Sequence, residues 1–270
     1  MNTDITQKQY KKLVVQVALN GLTFCCFDTL NNTVLQLREI NFDTFQKGIK
    51  TEDLFKEAFI KNPELTEKYD EIMVIHSNNL ATFVPDSVFD EDYLGSYLQY
   101  NTKVFDTDFF TSDSLEKYEI HNVYIPYINI NNFFIDQFGA FEYKHANTLL
   151  VETILNAATK SQVKKMTVHV STTHFEIIVV ENRKLLFFNS FDYKTREDFI
   201  YFILFTAEQL NLNPEEFELE FTGSIAENSE LYQIAYTYIR NVSFRDDFEI
   251  QSKTTLSTLE KRKHFIVLNA

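Results

Sequence analysis

The sequence predicts an α/β protein made of two similar modules, and three observations support this prediction. The chain has 270 residues, enough for two medium domains, and its 44% hydrophobic and 24% charged residues are typical of a folded chain. One order of predicted strands and helices also occurs twice. We therefore divide the chain into a first module at 10–120, a linking segment with a helix at 121–160, and a second module at 161–270.

The first half of the chain has the predicted order β-β-β-α-β-α-β. Short runs rich in valine, isoleucine and phenylalanine predict the strands, and the pair Asn20-Gly21 favours a hairpin turn between the first two. Thr51, followed by Glu52 and Asp53, is typical of a helix start. Strands are expected at 13–17, 22–27, 34–40, 72–75 and 103–105, and helices after Thr51 and at 87–98.

The second half repeats this order with small changes in loop length. Val168 follows Val15 by 153 residues, and Glu197 follows Glu52 by 145 residues. Strands are expected at 166–170, 175–180, 184–188, 217–221 and 242–244, and helices at 196–210 and 227–239. A helix at 145–160 should join the halves. The chain should end in a strand at 264–268, which follows a solvent-exposed basic turn at 261–263.

An aromatic segment at 123–143 lies between the two repeats and has two interpretations. Its large side chains can form a core between the modules. Alternatively, they form a surface for a partner protein, because aromatic residues dominate binding hot spots. The sequence leaves both interpretations open.

Charge and targeting signals exclude several classes of partner. The 39 acidic residues outnumber the 25 basic ones, and the resulting charge of −14 repels nucleic acids and anionic membrane surfaces. The first twelve residues lack the apolar stretch of a secretion signal, and the most apolar run, 199–205, is far shorter than the ~20 residues that span a bilayer. The neighbouring Cys25 and Cys26 are expected to be reduced thiols. We expect a cytoplasmic protein with no nucleic-acid partner and no membrane insertion.

A duplicated β-β-β-α-β-α-β module with a linking helix resembles the ribonuclease-H-like units of the actin, Hsp70 and sugar-kinase superfamily. The runs at 13–17 and 20–24 resemble an uncharacterised bacterial family that has an actin-like ATPase fold and no assigned activity. The resemblance implies that ATP and Mg²⁺ would lie in a cleft between the modules. Glycine-bearing turns and two aspartates hold them in that superfamily.

The first phosphate motif of the superfamily is degenerate in this chain. Gln16 stands where the resemblance places an aspartate, and Ala18 stands where it places a glycine. The glycine is displaced to Gly21, which follows Asn20. A neutral amide does not supply the charged oxygen that orders Mg²⁺ and its waters.

The second phosphate motif and the adenosine motif are degenerate too. His169 replaces the second aspartate, and Ser171 and Thr172 stand in place of glycines. The adenosine motif keeps one glycine, in Thr222-Gly223. Without glycine, backbone N–H groups form a close anion-binding concavity less easily. The resemblance therefore implies that ATP hydrolysis is lost.

A pair of histidines gives a second candidate site. His169 and His174 flank a tight turn, so they could approach each other across a hairpin and chelate a metal. No third ligand lies nearby in the sequence, and we interpret the pair as exposed hairpin residues. Motifs of the common hydrolases, zinc proteases and P-loop enzymes are absent.

The sequence therefore predicts a non-catalytic, actin-like protein that acts as a cytoplasmic interaction or scaffold protein and binds a protein partner. No cofactor is expected, although residual nucleotide binding stays open. One alternative is a divergent nucleotide-dependent phosphotransferase or ATPase of the same superfamily. Another is a silent partner of an active superfamily enzyme. A carboxylate lining the cleft between the modules would favour the enzyme alternative.

Overall fold

The structure, a computed structural model, describes residues 8–42, 50–105, 107–160, 163–246 and 256–270. The strands are β1 (Lys11–Ala18), β2 (Gly21–Asp28), β3 (Thr33–Asn41), β4 (Glu71–His76), β5 (Ala81–Pro85), β6 (Thr111–Leu115), β7 (Ile120–Tyr124), β8 (Glu142–His145), β9 (Lys165–Val170), β10 (His174–Glu181), β11 (Lys184–Asp192), β12 (Glu218–Gly223) and β13 (Asn241–Phe244). The helices are α1 (Thr51–Lys61), α2 (Leu94–Leu98), α3 (Ile128–Phe138), α4 (Ala146–Ala157), α5 (Arg196–Gln209), α6 (Glu230–Tyr238), α7 (Thr258–Lys263) and α8 (Phe265–Leu268).

Two five-stranded sheets have the same topology, which confirms the predicted duplication. The first has the strand order β3-β2-β1-β4-β8 and the second the order β11-β10-β9-β12-β13. In each sheet the first three strands are antiparallel and the last two run parallel to the opening strand. Each module therefore has the order of a ribonuclease-H-like unit.

Each sheet buries both of its faces, and this explains the nearly continuous apolar runs of its central strands. Alternate residues of β1 point to opposite sides. Leu13 and Val15 pack under α1 and α3, whereas Val14 joins a core between the two sheets. On the second sheet, Met166 and Val168 pack under α5 and α6 in the same way.

The core between the sheets is built around two helices. The predicted linking helix is confirmed as α4, and Leu150 and Ile154 of this helix pack in the core with Val14 and Cys25 of the first sheet and Ile178 of the second. The four residues of α8 are buried in the same core. The modules are therefore joined by a shared hydrophobic layer as well as by the chain.

The last helix and the last strand predicted for the first module are wrong. The predicted strand at 103–105 is not a strand, and the predicted helix at 87–98 is reduced to the short helix α2 after two 3-10 turns. The module instead takes its second helix and last strand, α3 and β8, from the aromatic segment. Residues 77–126 form an insertion with its own antiparallel sheet of order β5-β7-β6.

The aromatic segment packs within the first module and not between the modules. Phe133 and Phe134 of α3 lie against Phe55 and Phe59 of α1, with ring centroids 5.0 to 6.2 Å apart. Part of the aromatic segment is therefore the helix α3, whose apolar residues recur at helical spacing and pack in the core of the first module. The division at 10–120, 121–160 and 161–270 stays a prediction, and β8 lies in its middle part.

The predicted C-terminal strand is also wrong. Residues 258–268 form α7 and α8, and α7 begins with a capping box in which Ser257 and Glu260 each bind the other's backbone N–H. Ser257 followed three residues later by Glu260 is a helix-start signal that is visible in the sequence. The basic residues at 261–263 lie in the last turn of α7 and not in a free turn.

The hairpin between β1 and β2 is present but centred one residue earlier than predicted. Ala18 pairs with Gly21, so Leu19 and Asn20 form the turn. Gly21 begins β2, and a Cβ atom there would lie 2.3 Å from the carbonyl oxygen of Ile40. The glycine is required by the close approach of β3. Over the part of the chain that is described, no helix is both long enough and apolar enough to span a bilayer.

Candidate functional site

A cavity of about 430 Å³ lies between the two modules, at the ends of the two opening hairpins. Six of the positions that we assigned to the degenerate nucleotide cleft line it: Gln16, Ala18, Asn20, Gly21, Ser171 and Thr172. His169, Thr222 and Gly223 do not line it. The duplicated topology thus brings residues that are far apart in sequence to one cleft.

The wall from the first module is formed mainly by residues of β1, β2 and β3. Gln16 and Ala18 are two residues apart on β1, so they point to the same side. Gln16 pairs in register with Thr23, which also lines the cavity. These residues offer amide and hydroxyl groups, and the carboxylate on this side of the cavity belongs to Glu39 of β3.

The wall from the second module depends on a tight approach of two strand ends. Gly223 has φ of +84°, and a Cβ atom at this position would lie 2.2 Å from the carbonyl oxygen of Val170. The N–H of Ser224 donates to that same oxygen at 2.6 Å. Glycine is therefore required here, and it places Ser224 at the cavity beside Ser171.

A row of three buried polar residues lies on the second sheet, one step below this wall. Glu176, His169 and Thr222 are in register on the neighbouring strands β10, β9 and β12. Two residues further towards the cavity, on the same face, stand His174, Ser171 and Ser224. Glu176 Oε2, His169 Nδ1 and Thr222 Oγ1 are buried without a hydrogen-bond partner among the described residues.

Burial controls the protonation of this row. His169 is only 6% exposed, which corrects the interpretation of it as an exposed hairpin residue. Loss of hydration, helped by the charge of His174, lowers the pKa of His169 to about 3. Burial raises the pKa of Glu176, against the opposing effects of His174 and the hydrogen bond from Ser190. His174 Nε2 lies 3.3 Å from Glu176 Oε1.

One carboxylate, that of Glu39 on β3, is present among the described residues that line the cavity. Its Oε2 atom binds the ammonium group of Lys263, and His264 Nε2 lies 4.0 Å away. Burial alone would raise the pKa of Glu39, but the hydrogen bond and charge of Lys263, with His264, lower it overall. The charge of Glu39 is thus balanced by a lysine of the C-terminal segment.

No local sequence pattern indicates Glu39, Lys263 and His264 as cavity residues. The ion pair joins residues 224 positions apart, and α7 was predicted as a turn, so no local pattern indicated it. Among the described residues, no group of three or more histidine, cysteine, aspartate or glutamate side chains is arranged to hold a metal ion. The cavity can donate and accept hydrogen bonds, and its polar lining is mostly hydroxyl and amide.

Solved structures with similar folds span nearly the whole chain. A Bacteroides thetaiotaomicron protein of actin-like ATPase fold and unknown function is 22% identical, with a TM-score of 0.80 over 91% of this chain and 94% of that one. A PilM–PilN type IV pilus biogenesis complex is 9% identical, with a TM-score of 0.56 over 95% of this chain and 96% of that one. The chain has the actin-like ATPase fold, as its sequence predicted.

No curated protein matches the chain. A family model, described as a protein of unknown function, DUF3822, matches residues 1–242. This match covers most of the chain, including the first sheet, nearly all of the second and the hairpins that line the cavity. The chain therefore belongs to the DUF3822 family of proteins of unknown function.

Proposed function

We propose that the protein is a non-catalytic, cytoplasmic interaction or scaffold protein whose nucleotide cleft has lost its chemistry. The observation that carries this proposal is the state of the cleft carboxylate. Glu39 is bound to Lys263, and Gln16 is neutral, so the described lining offers Mg²⁺ no free carboxylate. Mg²⁺ prefers hard, charged oxygen ligands and gives up its hydration reluctantly.

The backbone of the cleft also supports the proposal. The turn at 171–173 lines the cavity and contains no glycine, so its backbone N–H groups form a close anion-binding concavity less easily. Gly223 is present, but its positive φ is required for the contact with Val170. The cleft therefore has few of the features that replace the hydration of a triphosphate.

The pilus complex supports an interaction role at the level of the fold. That structure is a PilM–PilN complex, so a fold similar to this one occurs in an assembly of two different proteins. A non-catalytic protein with this fold would act by binding another protein. The partner of this chain is then a protein, and the acidic charge of the chain disfavours nucleic acids.

The enzyme alternative rests on Glu39, because it places one carboxylate in the cleft. A divergent ATPase or phosphotransferase would need Lys263 to release Glu39 to a metal. The second alternative is that the chain is a silent partner of an active superfamily enzyme. Like our proposal, it predicts that the chain binds no nucleotide. It differs in predicting co-purification with such an enzyme.

A thermal-shift titration with ATP, ADP and GTP, each with and without Mg²⁺, tests the proposal. We expect no shift at millimolar nucleotide. A ligand present at one hundred times its Kd would add about 2.7 kcal/mol, which is roughly 2–4 °C in Tm for a chain of this size. The variant Glu39→Gln is the matched control. A Mg-dependent shift that disappears in this variant would contradict the proposal and favour the enzyme alternative.

A further inference from the structure

The insertion at 77–126 carries a large share of the negative charge of the protein. It holds nine acidic and two basic residues, a formal charge of −7, which is half of the −14 of the whole chain in 50 of its 270 residues. Asp90, Glu91 and Asp92 are consecutive and exposed. No lysine or arginine among the described residues forms an ion pair with these three.

The two lysines of the insertion are engaged elsewhere. Lys103 Nζ lies 4.9 Å from the centre of the Phe105 ring. Lys117 Nζ donates to Asn156 Oδ1 at 2.6 Å and lies 5.2 Å from the ring of Tyr118. The acidic run at 90–92 therefore keeps its charge at the protein surface.

Exposed tyrosines stand beside this acidic run. Tyr93 immediately precedes α2 and is 60% exposed, and Tyr100, in the turn that follows α2, is 85% exposed. Tyr100 follows Tyr93 by seven positions, about two helical turns, which places both on the same side of the helix. The other side of α2 is covered, because Leu98 is buried and Gly95 lies against the ring of Phe110.

Tyr97 of α2 is hydrogen-bonded to the backbone at and just before the acidic run. Its hydroxyl donates to the carbonyl of Val88 at 2.7 Å and accepts the N–H of Asp90 at 2.8 Å. The carboxylate of Asp90 in turn accepts the N–H of Asp92. These bonds fix the backbone of the acidic run relative to α2, so little backbone ordering is needed on binding.

We propose that Tyr93, Tyr100 and the acidic run at 90–92, together the α2 surface, dock a basic protein segment that carries apolar side chains. Tyrosine rings supply large contact areas with little loss of side-chain entropy and stack on arginine. The acidic residues at their edge attract a positively charged partner and repel nucleic acids. This inference rests on the proposed interaction function and names the chemistry of the partner.

The test uses the full chain and a short peptide of alternating arginine and leucine, with a glutamate-leucine peptide as the opposite-charge probe. Binding is measured by fluorescence anisotropy at about 0.05 and about 0.5 M salt, which changes the range of electrostatic screening. We expect the arginine peptide to bind, with affinity falling as salt rises, and the glutamate peptide not to bind. The double variant Tyr93→Ser/Tyr100→Ser should weaken binding at least tenfold.

A matched control lies on the second module. Tyr201 and Phe205 of α5 form another exposed aromatic pair, with ring centroids 5.9 Å apart. The variant Tyr201→Ser/Phe205→Ser should bind the arginine peptide as the wild type does. Equal losses in both double variants, no loss in either, or no binding by the wild type would overturn the inference. The nucleotide titration decides the proposed function separately, because none of these residues lines the cleft.

Discussion

The carboxylate of Asp113, on β6 of the insertion, accepts a hydrogen bond from the hydroxyl of Thr148 at 2.6 Å. Thr148 lies in the first turn of α4, the helix between the modules. The same carboxylate also accepts the N–H of His145 at 2.8 Å and the hydroxyl of Tyr124 at 3.0 Å. The insertion that carries the α2 surface is thus fixed to the helix that joins the modules.

Replacing Asp113 should destabilise the protein. The variant Asp113→Ala leaves three hydrogen-bond donors without their acceptor, and we expect a loss of about 2–4 kcal/mol in the free energy of unfolding. Urea denaturation measures it. Glu116→Ala, at an exposed position of the same insertion, is the control and should stay within about 0.5 kcal/mol of the wild type. Equal stability of both variants would show that the Asp113 contacts contribute little.

The buried His169 should make stability fall in acid. Its pKa is about 3 in the folded protein and about 6.5 when unfolded, so the unfolded state takes up the proton first. Above pH 6.5 His169 is neutral in both states and does not reduce the free energy of unfolding. As the pH falls from 6.5 towards 3, protonation of His169 in the unfolded state lowers the free energy of unfolding. We expect His169→Leu to make the unfolding free energy less dependent on pH in this range, measured by urea denaturation at several pH values.

Thr222→Val is the control for that experiment. It removes a buried hydroxyl beside His169 without removing a titrating group. It should keep the pH dependence of the wild type. An unchanged pH profile in His169→Leu would contradict the assignment of acid sensitivity to this histidine, and His76 and His145, whose pKa values burial lowers to about 4 and about 3, would then account for it.

Substitutions at two glycines with positive φ distinguish destabilisation by backbone strain from destabilisation by steric overlap. Gly139 has φ of +78° and nothing within 4 Å of a Cβ, whereas a Cβ on Gly223 would lie 2.2 Å from the oxygen of Val170. We expect Gly139→Ala to lose about 1 kcal/mol from strain alone. Gly223→Ala should lose clearly more, because β12 must also move away from β9. Similar values of Tm for the two variants would contradict the tight contact at the cleft.

The C-terminal helix should hold the modules together. Phe265 is buried between the sheets, and its ring lies 6.4 Å from that of His169. Phe265→Ala should cost about 3–5 kcal/mol through the cavity that it leaves. Leu259→Ala, on the exposed side of α7, should change stability by less than about 0.5 kcal/mol. A small loss at Phe265 would show that α8 is not needed for the shared core.

The sequence determined the duplicated architecture, because strand and helix periods, turn residues and caps act within a few residues. The apolar runs of β1 and β9 required sheets buried on both faces, and Thr195 with Asp198 formed the capping box of α5. The repeat then placed Ala18 and Ser171 at corresponding hairpin ends, so part of the cavity lining was predictable.

Tertiary structure decided what covers each surface. Strand alternation put Glu176, His169 and Thr222 in one row, but the cover over His169 includes the distant C-terminal segment, whose Phe265 ring lies 6.4 Å from the imidazole. The bond between Glu39 and Lys263 joins the first sheet to the end of the chain, and the insertion displaced the last helix and strand of the first module beyond residue 126. Such contacts depend on which distant segments meet in space, and local residue patterns do not encode that choice.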